Sequence, residues 1–296
     1  MGTVAVEART VPSAWGVNWV AGDVTASSGE TGQGYLLDNA AHQTAGRFSG
    51  LEAGLDENTE ARLSALGIAA GWRCLEIGAG SGSIARWMAE LAGARGYVLA
   101  TDIDTRWIQT NGLSQLDVQR HDIAADPPPP GEFDVIHARL VLSWLPARDA
   151  VLSRLAGALR PGGWLVIEDF DSLIHHCLDP LNDDERAFGK VADAFGQALH
   201  RRGVDTTWPR TLPHRLAAAG LANVGAAGHL AIFHGGSPAA QLWIANIDQV
   251  GDGLIQAGLI TTAKRDTFRR LLDDPSFVGN YPLLITAWGN KPNPPG

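Results

Sequence analysis

Residues 73–82 read RCLEIGAGSG, a short apolar run followed by three glycines at alternate positions, Gly78, Gly80 and Gly82. The apolar run predicts a buried strand, and the next segment, from about residue 83, has the periodicity of a helix. Glycines let the chain turn sharply between two such elements and let a ligand approach without Cβ atoms in the way. The turn also feeds a helix N-terminus, whose free N–H groups point at whatever lies there. The pattern indicates a ligand-binding turn, and the alternative is a tight turn that binds nothing.

Short apolar runs and helical stretches continue to alternate as far as about residue 170. Further strands are predicted over residues 97–101, 118–121, 134–138 and 164–167, with helices over residues 83–93, 105–112 and 148–159. A repeated strand–helix order favours a parallel sheet with helices on both faces.

The flanking segments are predicted to be mainly helical. Helices are expected over residues 35–51, 56–66, 182–202, 213–219 and 262–272, with another opened by Ser237 and Pro238. Residues 223–233 and 281–288 read as strands that could pair antiparallel. We therefore expect a lid segment over residues 1–55 and a main domain over 56–296, with substrate-cap insertions near 172–204 and 236–275.

Three acidic residues, Glu76, Asp102 and Asp122, close successive predicted strands. In a doubly wound sheet these strand ends converge on one crevice, where ligands bind. Residues 80–85 fit the permissive dinucleotide pattern G-x-G-x-x-G/A, but three carboxylates would repel a pyrophosphate. S-adenosylmethionine (SAM) offers carboxylates an ammonium, a ribose diol, an adenine amine and a sulfonium. The acids therefore favour SAM over a dinucleotide.

Five motifs resemble, in order and spacing, the successive motifs of class I SAM-dependent methyltransferases. They are LEIGAGSG (75–82), ATDID (100–104), RHDI (120–123), FDVIHARLVLSWL (133–145) and LRPGGWLVIEDF (159–170). The segment YLLDNAAHQTAGRF (35–48) is also similar to bacterial small-molecule methyltransferases, many of which tailor natural products. The resemblance implies an α/β fold with a Rossmann-like, doubly wound, mostly parallel seven-stranded sheet. It also implies an antiparallel last strand and helical cap insertions.

The resemblance further implies a set of residues that bind SAM and its product, S-adenosylhomocysteine. The glycine turn would contact the methionine part, with Glu76 near its amino group. Asp102 would hold the ribose hydroxyls, and Asp122 would accept a hydrogen bond from the adenine amine. The full implied set is Tyr35, Glu76, Gly78, Ala79, Gly80, Asp102, Ile103, Asp122, Ile123, Ala138 and Arg139.

The densest cluster of acids and histidines follows the fifth predicted strand. Glu168, His175 and His176 are our candidates for a catalytic group that positions a water or takes a proton. A solvated loop with one hydrogen-bonded histidine is the alternative. Trp144, Trp208 and Trp243 could line an acceptor pocket, since aromatic faces suit planar or cationic substrates, although core packing is the default for tryptophan.

The composition excludes several classes of function. The 296 residues include 23 Lys plus Arg and 32 Asp plus Glu, a formal net charge of −9 that disfavours nucleic acid and anionic membranes. No apolar run is long enough for a transmembrane helix, and no signal peptide is visible. Cys74 and Cys177 have no disulfide or metal-ligand spacing, and we expect no metal. A cytoplasmic chain is expected, either monomeric or homodimeric.

The main hypothesis is therefore a SAM-dependent methyltransferase that acts on a small organic acceptor. An aromatic or nitrogen-heterocyclic natural product is favoured, and N-, O- and C-methylation all stay open. One alternative is an NAD(P)-dependent oxidoreductase, which rests on the permissive glycine pattern. The other is a SAM-binding protein without methyl transfer.

Overall fold

The computed structural model describes Leu37, residues 42–172 and residues 182–294, all of which lie within one compact unit, Gln33–Gly296. The strands are β1 Arg73–Ile77, β2 Tyr97–Asp102, β3 Leu116–Arg120, β4 Phe133–Arg139, β5 Leu159–Asp171, β6 Ala222–His229, β7 Ile232–His234, β8 Val278–Asn280 and β9 Leu283–Asn290. The helices are α1 Thr44–Ala65, α2 Ser83–Ala92, α3 Arg148–Ala158, α4 Asp183–Arg201, α5 Leu212–Ala218, α6 Gln241–Gln256 and α7 Thr262–Asp273.

Seven strands form one sheet in the order β3-β2-β1-β4-β5-β9-β6. The pairs among β1 to β5 are parallel, whereas β9 runs antiparallel to both β5 and β6. The strand order reverses on either side of β1, so the carboxyl ends of β1 and β4 flank the switch point where ligands bind in such sheets. The predicted doubly wound, mostly parallel sheet with an antiparallel last strand is confirmed.

Alternate residues of the central strands pack on opposite faces of the sheet. Leu75 lies in a cluster with side chains of α3 and α5, and its neighbour Cys74 lies in a cluster with side chains of α2. Strands covered on both faces read as nearly continuous apolar runs, which is why their positions could be predicted well.

A third cluster joins α1, α4, α6 and α7 with the buried ring of Tyr281. Helix α1 is continuous from Thr44 to Ala65, so the two helices predicted over residues 35–51 and 56–66 are one helix in its described part. It passes through Gly54, where a Cβ atom would lie 2.3 Å from the Tyr281 ring. The ring thus occupies the space that a side chain at this position would need. The helix also runs through residue 55, where we expected the lid segment to end.

Three other expectations need correction. The helix predicted over residues 105–112 is only a 3₁₀ turn at Thr105–Trp107, which the Asp104 carboxylate caps at its start and which ends because the backbone becomes extended at Ile108. The strand predicted over residues 223–233 ends at His229, and β7 pairs with β8 in a separate two-stranded sheet. Strand β5 begins before the predicted residue 164, at Leu159, and ends after residue 167, at Asp171.

Helix α1 approaches α6 closely at Gly50. A Cβ atom at Gly50 would lie 2.4 Å from the backbone nitrogen of Leu242, so only glycine allows this spacing. The Tyr281 hydroxyl is within hydrogen-bonding distance of the Gly50 carbonyl (2.7 Å) and of the Ala239 carbonyl (2.5 Å). This contact sets where α1 crosses the carboxyl edge of the sheet. None of the helices in the described residues has the length and apolar character needed to cross a bilayer.

We expect Gly50→Ala to lower the free energy of unfolding by about 1–3 kcal/mol, because two helix backbones would have to separate. Gly46→Ala in the same helix is the control, since its Cβ would meet only the Ala245 Cβ, at 3.9 Å. That change should leave stability unchanged or raise it by about 0.5–1 kcal/mol. Urea unfolding curves measure both, and equal midpoints for the two variants would contradict the proposed role of Gly50.

Candidate active site

The glycine turn between β1 and α2 has a backbone that side chains would not tolerate. Gly78, Gly80 and Gly82 have φ angles of 66°, 58° and 84°. A Cβ atom at Gly78 would lie 2.3 Å from Val141 Cγ2. Gly82 is the residue before α2, and its N–H closes the turn by donating to the Ala79 carbonyl. The turn therefore presents bare backbone at the start of a helix, which suits a polar ligand.

Asp102, at the end of β2, ties this turn to the next one. One carboxylate oxygen accepts the Gly80 N–H at 2.9 Å, and the other accepts the Asp104 N–H at 2.9 Å. Burial raises the pKa of Asp102, while the two backbone N–H groups act in the opposite direction. The following residue, Ile103, is 49% exposed and offers an apolar surface beside the carboxylate.

Asp122 and Ile123 follow β3 at the same edge of the sheet. The Asp122 carboxylate accepts the Ala124 N–H at 2.9 Å, and the Asp122 N–H donates to Asp126 at 3.0 Å. Ile123 is buried in the sheet core. The parallel pairing of the first three strands brings the ends that carry Glu76, Asp102 and Asp122 to one edge, as the sequence analysis expected.

Glu76 forms part of a buried ionic chain in the centre of the sheet. His137 lies opposite Glu76 on the neighbouring strand, and its Nδ1 is 2.7 Å from Glu76 Oε2. The other ring nitrogen, Nε2, is 3.3 Å from Glu168 Oε2. Thr59 and Thr286 donate to the two Glu168 oxygens, each at 2.5 Å. This buried ionic chain thus links three adjacent strands, β1, β4 and β5, to α1 and β9.

Burial lowers the pKa of His137, but the charges and hydrogen bonds of Glu76 and Glu168 outweigh it and raise the value to about 9. Burial raises the pKa of Glu168, but the hydrogen bond and charge of His137 outweigh it and leave the value below its usual range. The arrangement therefore favours an imidazolium held between two carboxylates.

Arg139, at the end of β4, binds to α1. Its guanidinium donates to Asp56 at 2.7 Å and to Thr59 at 2.9 Å. The family resemblance implied that Arg139 belongs to the SAM-binding set, whereas in the structure its side chain fastens α1 to the carboxyl edge of the sheet. Its neighbour Ala138 is fully buried.

An apolar cavity of about 900 Å³, counted with its mouth, opens beside the glycine turn. Phe48 of α1 lies between the two, since it lines the cavity and a Cβ atom at Gly80 would lie 3.2 Å from its ring. Leu140 also lines the cavity, just before Val141, which packs on Gly78. The polar side chains in the wall are Arg47, Ser143, Asp169, Ser172, Thr206 and Asn246.

The candidate catalytic residues have different positions. Glu168 is fully enclosed and does not line the cavity, whereas its neighbour Asp169 does, because successive residues of a strand face opposite sides. Burial raises the pKa of Asp169 to about 7, against the opposing effect of the Ser143 N–H that it accepts at 3.0 Å. Tyr35, His175 and His176 lie outside the described residues, as does Cys177.

Two of the three candidate tryptophans, Trp144 and Trp243, line the cavity. Trp208 is instead buried in the sheet core, with Arg148 and Arg215 near its ring. Sequence analysis did not select Asn246 or Phe48, because their role depends on where α6 and α1 cross the sheet. Among the described residues, no group of three His, Cys, Asp or Glu side chains is arranged to hold a metal ion.

Comparison with known proteins gives matches to methyltransferases. A family model described as "Methyltransferase domain" matches residues 47–226. The methyltransferase str3 of Strobilurus tenacellus is 37% identical over 116 residues, which are 37% of this chain and 39% of that protein. A second methyltransferase of the same organism, str2, is matched over 36% of its length. The chain thus spans less than two fifths of the length of either relative.

Two solved structures show the same fold. One is phosphoethanolamine N-methyltransferase 2 of Haemonchus contortus, with a TM-score of 0.54, 16% identity and coverage of 87% of this chain and 59% of that one. The other is the YcgJ protein of Bacillus subtilis, with a TM-score of 0.52, 17% identity and coverage of 80% and 100% respectively.

We expect the stability of the protein to fall as the pH rises from 6.5 to 10. A histidine whose folded pKa is raised to about 9, against 6.5 unfolded, stabilises fully below 6.5 and loses that contribution as the pH passes 9. The loss should be on the order of 3 kcal/mol. Urea unfolding at a series of pH values measures it.

His137→Gln should remove the pH dependence between pH 6.5 and 9 and lower stability at pH 6 by about 3–5 kcal/mol, since buried carboxylates lose their charged partner. His121→Gln is the matched control, because His121 is also buried but its ring hydrogen-bonds the Pro127 carbonyl rather than a carboxylate. A wild-type curve that stays flat from pH 6.5 to 10 would rule out the imidazolium.

Proposed function

The chain belongs to the methyltransferase domain family, of the class I SAM-dependent kind, and on that premise we propose that it methylates a small organic acceptor with SAM. The observation that carries the proposal is the glycine turn held by Asp102 at the carboxyl edge of the sheet, directly beside the cavity. The matched parts of the relatives support the activity, while the acceptor is argued from this chain alone.

The residues at the turn fit SAM. Positive φ angles at Gly78 and Gly80 leave the turn without Cβ atoms, so a ligand can lie against its backbone. Asp102 accepts the Gly80 N–H on one oxygen and the Asp104 N–H on the other, and a carboxylate has further lone pairs that can accept a bond from a ribose hydroxyl. Ile103 offers its exposed side chain to an adenine face. When bound, SAM supplies an electrophilic methyl group.

The further contacts to SAM are proposals of the same kind. Gly78, Ala79 and Gly80 would face the methionine part, and Asp122, with Ile123 packed behind it, would meet the adenine amine. His137 fixes the Glu76 carboxylate at 2.7 Å, so a ligand ammonium would meet a group that is already oriented. Ala138, at the end of β4, would lie near the sulfonium. For Arg139 we propose positioning through α1 rather than direct contact, because its guanidinium is bound to Asp56.

The apolar cavity is the proposed acceptor site. Because methyl transfer needs mainly the alignment of two reactants, its walls contribute by holding the acceptor in place and by excluding water. Phe48 borders both the glycine turn and the cavity and would separate the two ligands except along the path of transfer. Lining by Trp144 and Trp243 supports an aromatic or heterocyclic acceptor.

Proton transfer, where the acceptor needs it, is proposed for the cluster that follows β5. His175 and His176 keep the catalytic role expected from the sequence. The role proposed for Glu168 passes to Asp169, because Glu168 is enclosed by His137, Thr59 and Thr286. We further propose that the reaction is a tailoring step in secondary metabolism, such as antibiotic biosynthesis, because residues 35–48 resemble enzymes of that kind. A cytoplasmic location also stays part of the proposal. A lid over residues 1–55 and a homodimer stay part of it.

Thermal unfolding with SAM, S-adenosylhomocysteine, NAD and NADP tests the cofactor. We expect the first two to stabilise the protein by about 2.7 kcal/mol at 100 times their dissociation constants, and the nicotinamide cofactors to have no effect. A shift with NAD or NADP alone would favour an oxidoreductase. A shift with SAM but no transfer of labelled methyl to any acceptor would favour a SAM-binding protein without methyl transfer.

Asp102→Asn should weaken S-adenosylhomocysteine binding by about 10- to 100-fold, since a charge-assisted bond to the ribose becomes a neutral one. Asp104→Asn is the matched control on the same turn, because that carboxylate pairs with the exposed Arg106. Its affinity should change by less than about threefold, the scale of a surface ion pair. Calorimetry measures both, and equal affinities for the two variants would refute the ribose contact.

A further inference from the structure

The wall of the apolar cavity holds polar atoms that the fold does not satisfy. In the part of the chain that the structure describes, Asn246 Oδ1 is buried and has no hydrogen-bond partner, and Ser143 Oγ, also buried, has no partner beyond its interaction with the Asp169 carboxylate. Both residues line the cavity and are more than nine-tenths buried. Buried polar side-chain atoms are nearly always paired, because an unpaired one loses its hydrogen bonds to water without replacement.

These atoms come from separate elements that converge on one region. Asn246 lies in the middle of α6, Ser143 in the 3₁₀ turn Leu142–Trp144 after β4, and the cavity-lining carboxylate of Asp169 near the end of β5. Trp243, one helical turn before Asn246, adds an indole N–H that is buried without a partner in the described residues. The fold leaves Asn246 Oδ1 and the Trp243 N–H unpaired in the described residues, with Ser143 and Asp169 also in the wall, and a ligand in the cavity would satisfy the two unpaired groups.

The remaining wall defines the rest of that ligand. Phe48, Leu51, Phe170, Phe195 and Leu242 are apolar, so the body of the ligand is apolar too. The ionisable side chains of the described wall, Asp169 and Arg47, are both buried and opposite in sign, so an anion would bring a charge that the wall as a whole does not balance. Amide, hydroxyl and indole groups form hydrogen bonds with a neutral polar group without a charge being buried.

We propose that Asn246, Ser143, Asp169 and Trp243 form the recognition site for the acceptor, and that the site selects an uncharged, mainly apolar ring compound that carries a hydroxyl. The hydroxyl donates to Asn246 Oδ1 or to the Asp169 carboxylate and accepts from Ser143 or from the Trp243 N–H. The inference rests on the proposed function only in that it identifies the ligand as the methyl acceptor. The binding preference itself follows from the cavity alone.

Equilibrium dialysis of the whole protein with three matched probes, 2-naphthol, naphthalene and 2-naphthoate, tests the selection at pH 7. We expect 2-naphthol to bind about 10- to 100-fold more tightly than naphthalene, because it satisfies groups that naphthalene leaves buried and unpaired. The carboxylate should bind at least as weakly as naphthalene. Equal binding of the three probes, no binding of any, or preferred binding of 2-naphthoate overturns the proposal, the last by pointing to Arg47 instead.

Asn246→Leu and Ser143→Ala locate the preference. Each should reduce 2-naphthol affinity by about ten-fold while naphthalene binds as well as before or better, so that the discrimination shrinks. Asn58→Leu is the matched control, since Asn58 also carries a buried amide atom without a described partner but does not line the cavity. If both cavity variants still prefer 2-naphthol over naphthalene as strongly as the wild type does, the assignment of the recognition site to Asn246 and Ser143 is wrong.

Calorimetry with S-adenosylhomocysteine on the same variants tests the cofactor site separately from the binding preference of the cavity. Unchanged S-adenosylhomocysteine affinity in Asn246→Leu and Ser143→Ala shows that the fold and the cofactor site are intact. Failure of the wild type to bind S-adenosylhomocysteine would refute the proposed function and leave the probe preference to be judged by dialysis. Loss of the probe preference with intact cofactor binding refutes only this inference.

Discussion

A single histidine held between two carboxylates constrains most of this molecule. His137 is fully buried, and an imidazolium in such a place is stable only when opposite charges and hydrogen bonds surround it. Glu76 and Glu168 supply the charges from the neighbouring strands, so the register of β1, β4 and β5 cannot slip without leaving a charge unpaired. Thr59 and Thr286 extend the same chain to α1 and β9, which gives the sheet and the helix above it one common point of attachment.

The two halves of the active site share their walls for the same reason. Arg139 and Thr59 hold α1 at the carboxyl edge, and the same helix carries Phe48 into the gap between the glycine turn and the cavity. The segment after β4 behaves similarly, since Val141 packs on Gly78 while Leu140 and Ser143 line the cavity. A change in either ligand site is therefore felt by residues that also belong to the other.

The sequence was informative where local pattern determines structure. The boundaries of β1 and α2 and the glycine turn follow from apolar runs and glycine spacing. Asp102 was found from its place at the end of a predicted strand, and the family resemblance supplied its role and the seven-stranded sheet. It was less informative where two distant segments meet. Nothing local indicates that Glu168 would face inward to His137 while Asp169 faces the cavity, because the facing of a strand depends on its neighbours. Asn246 lies on a helix whose apolar periodicity is ordinary, and only the crossing of α6 over the sheet places it in the cavity wall. The pairing of Glu76 with His137 had one detectable signal, since both occupy equivalent positions near the ends of predicted adjacent strands.

The buried ionic chain also has an evolutionary consequence. Removing one member leaves the charges of the others unpaired. Replacing a whole buried ionic cluster with well-packed apolar side chains, in contrast, often leaves stability unchanged. We therefore expect strong epistasis among Glu76, His137 and Glu168: each is costly to change first, and much less costly to change once the others have been replaced. A lineage can cross from the ionic to the apolar arrangement only through unstable intermediates, so the three positions are expected to be inherited as one unit.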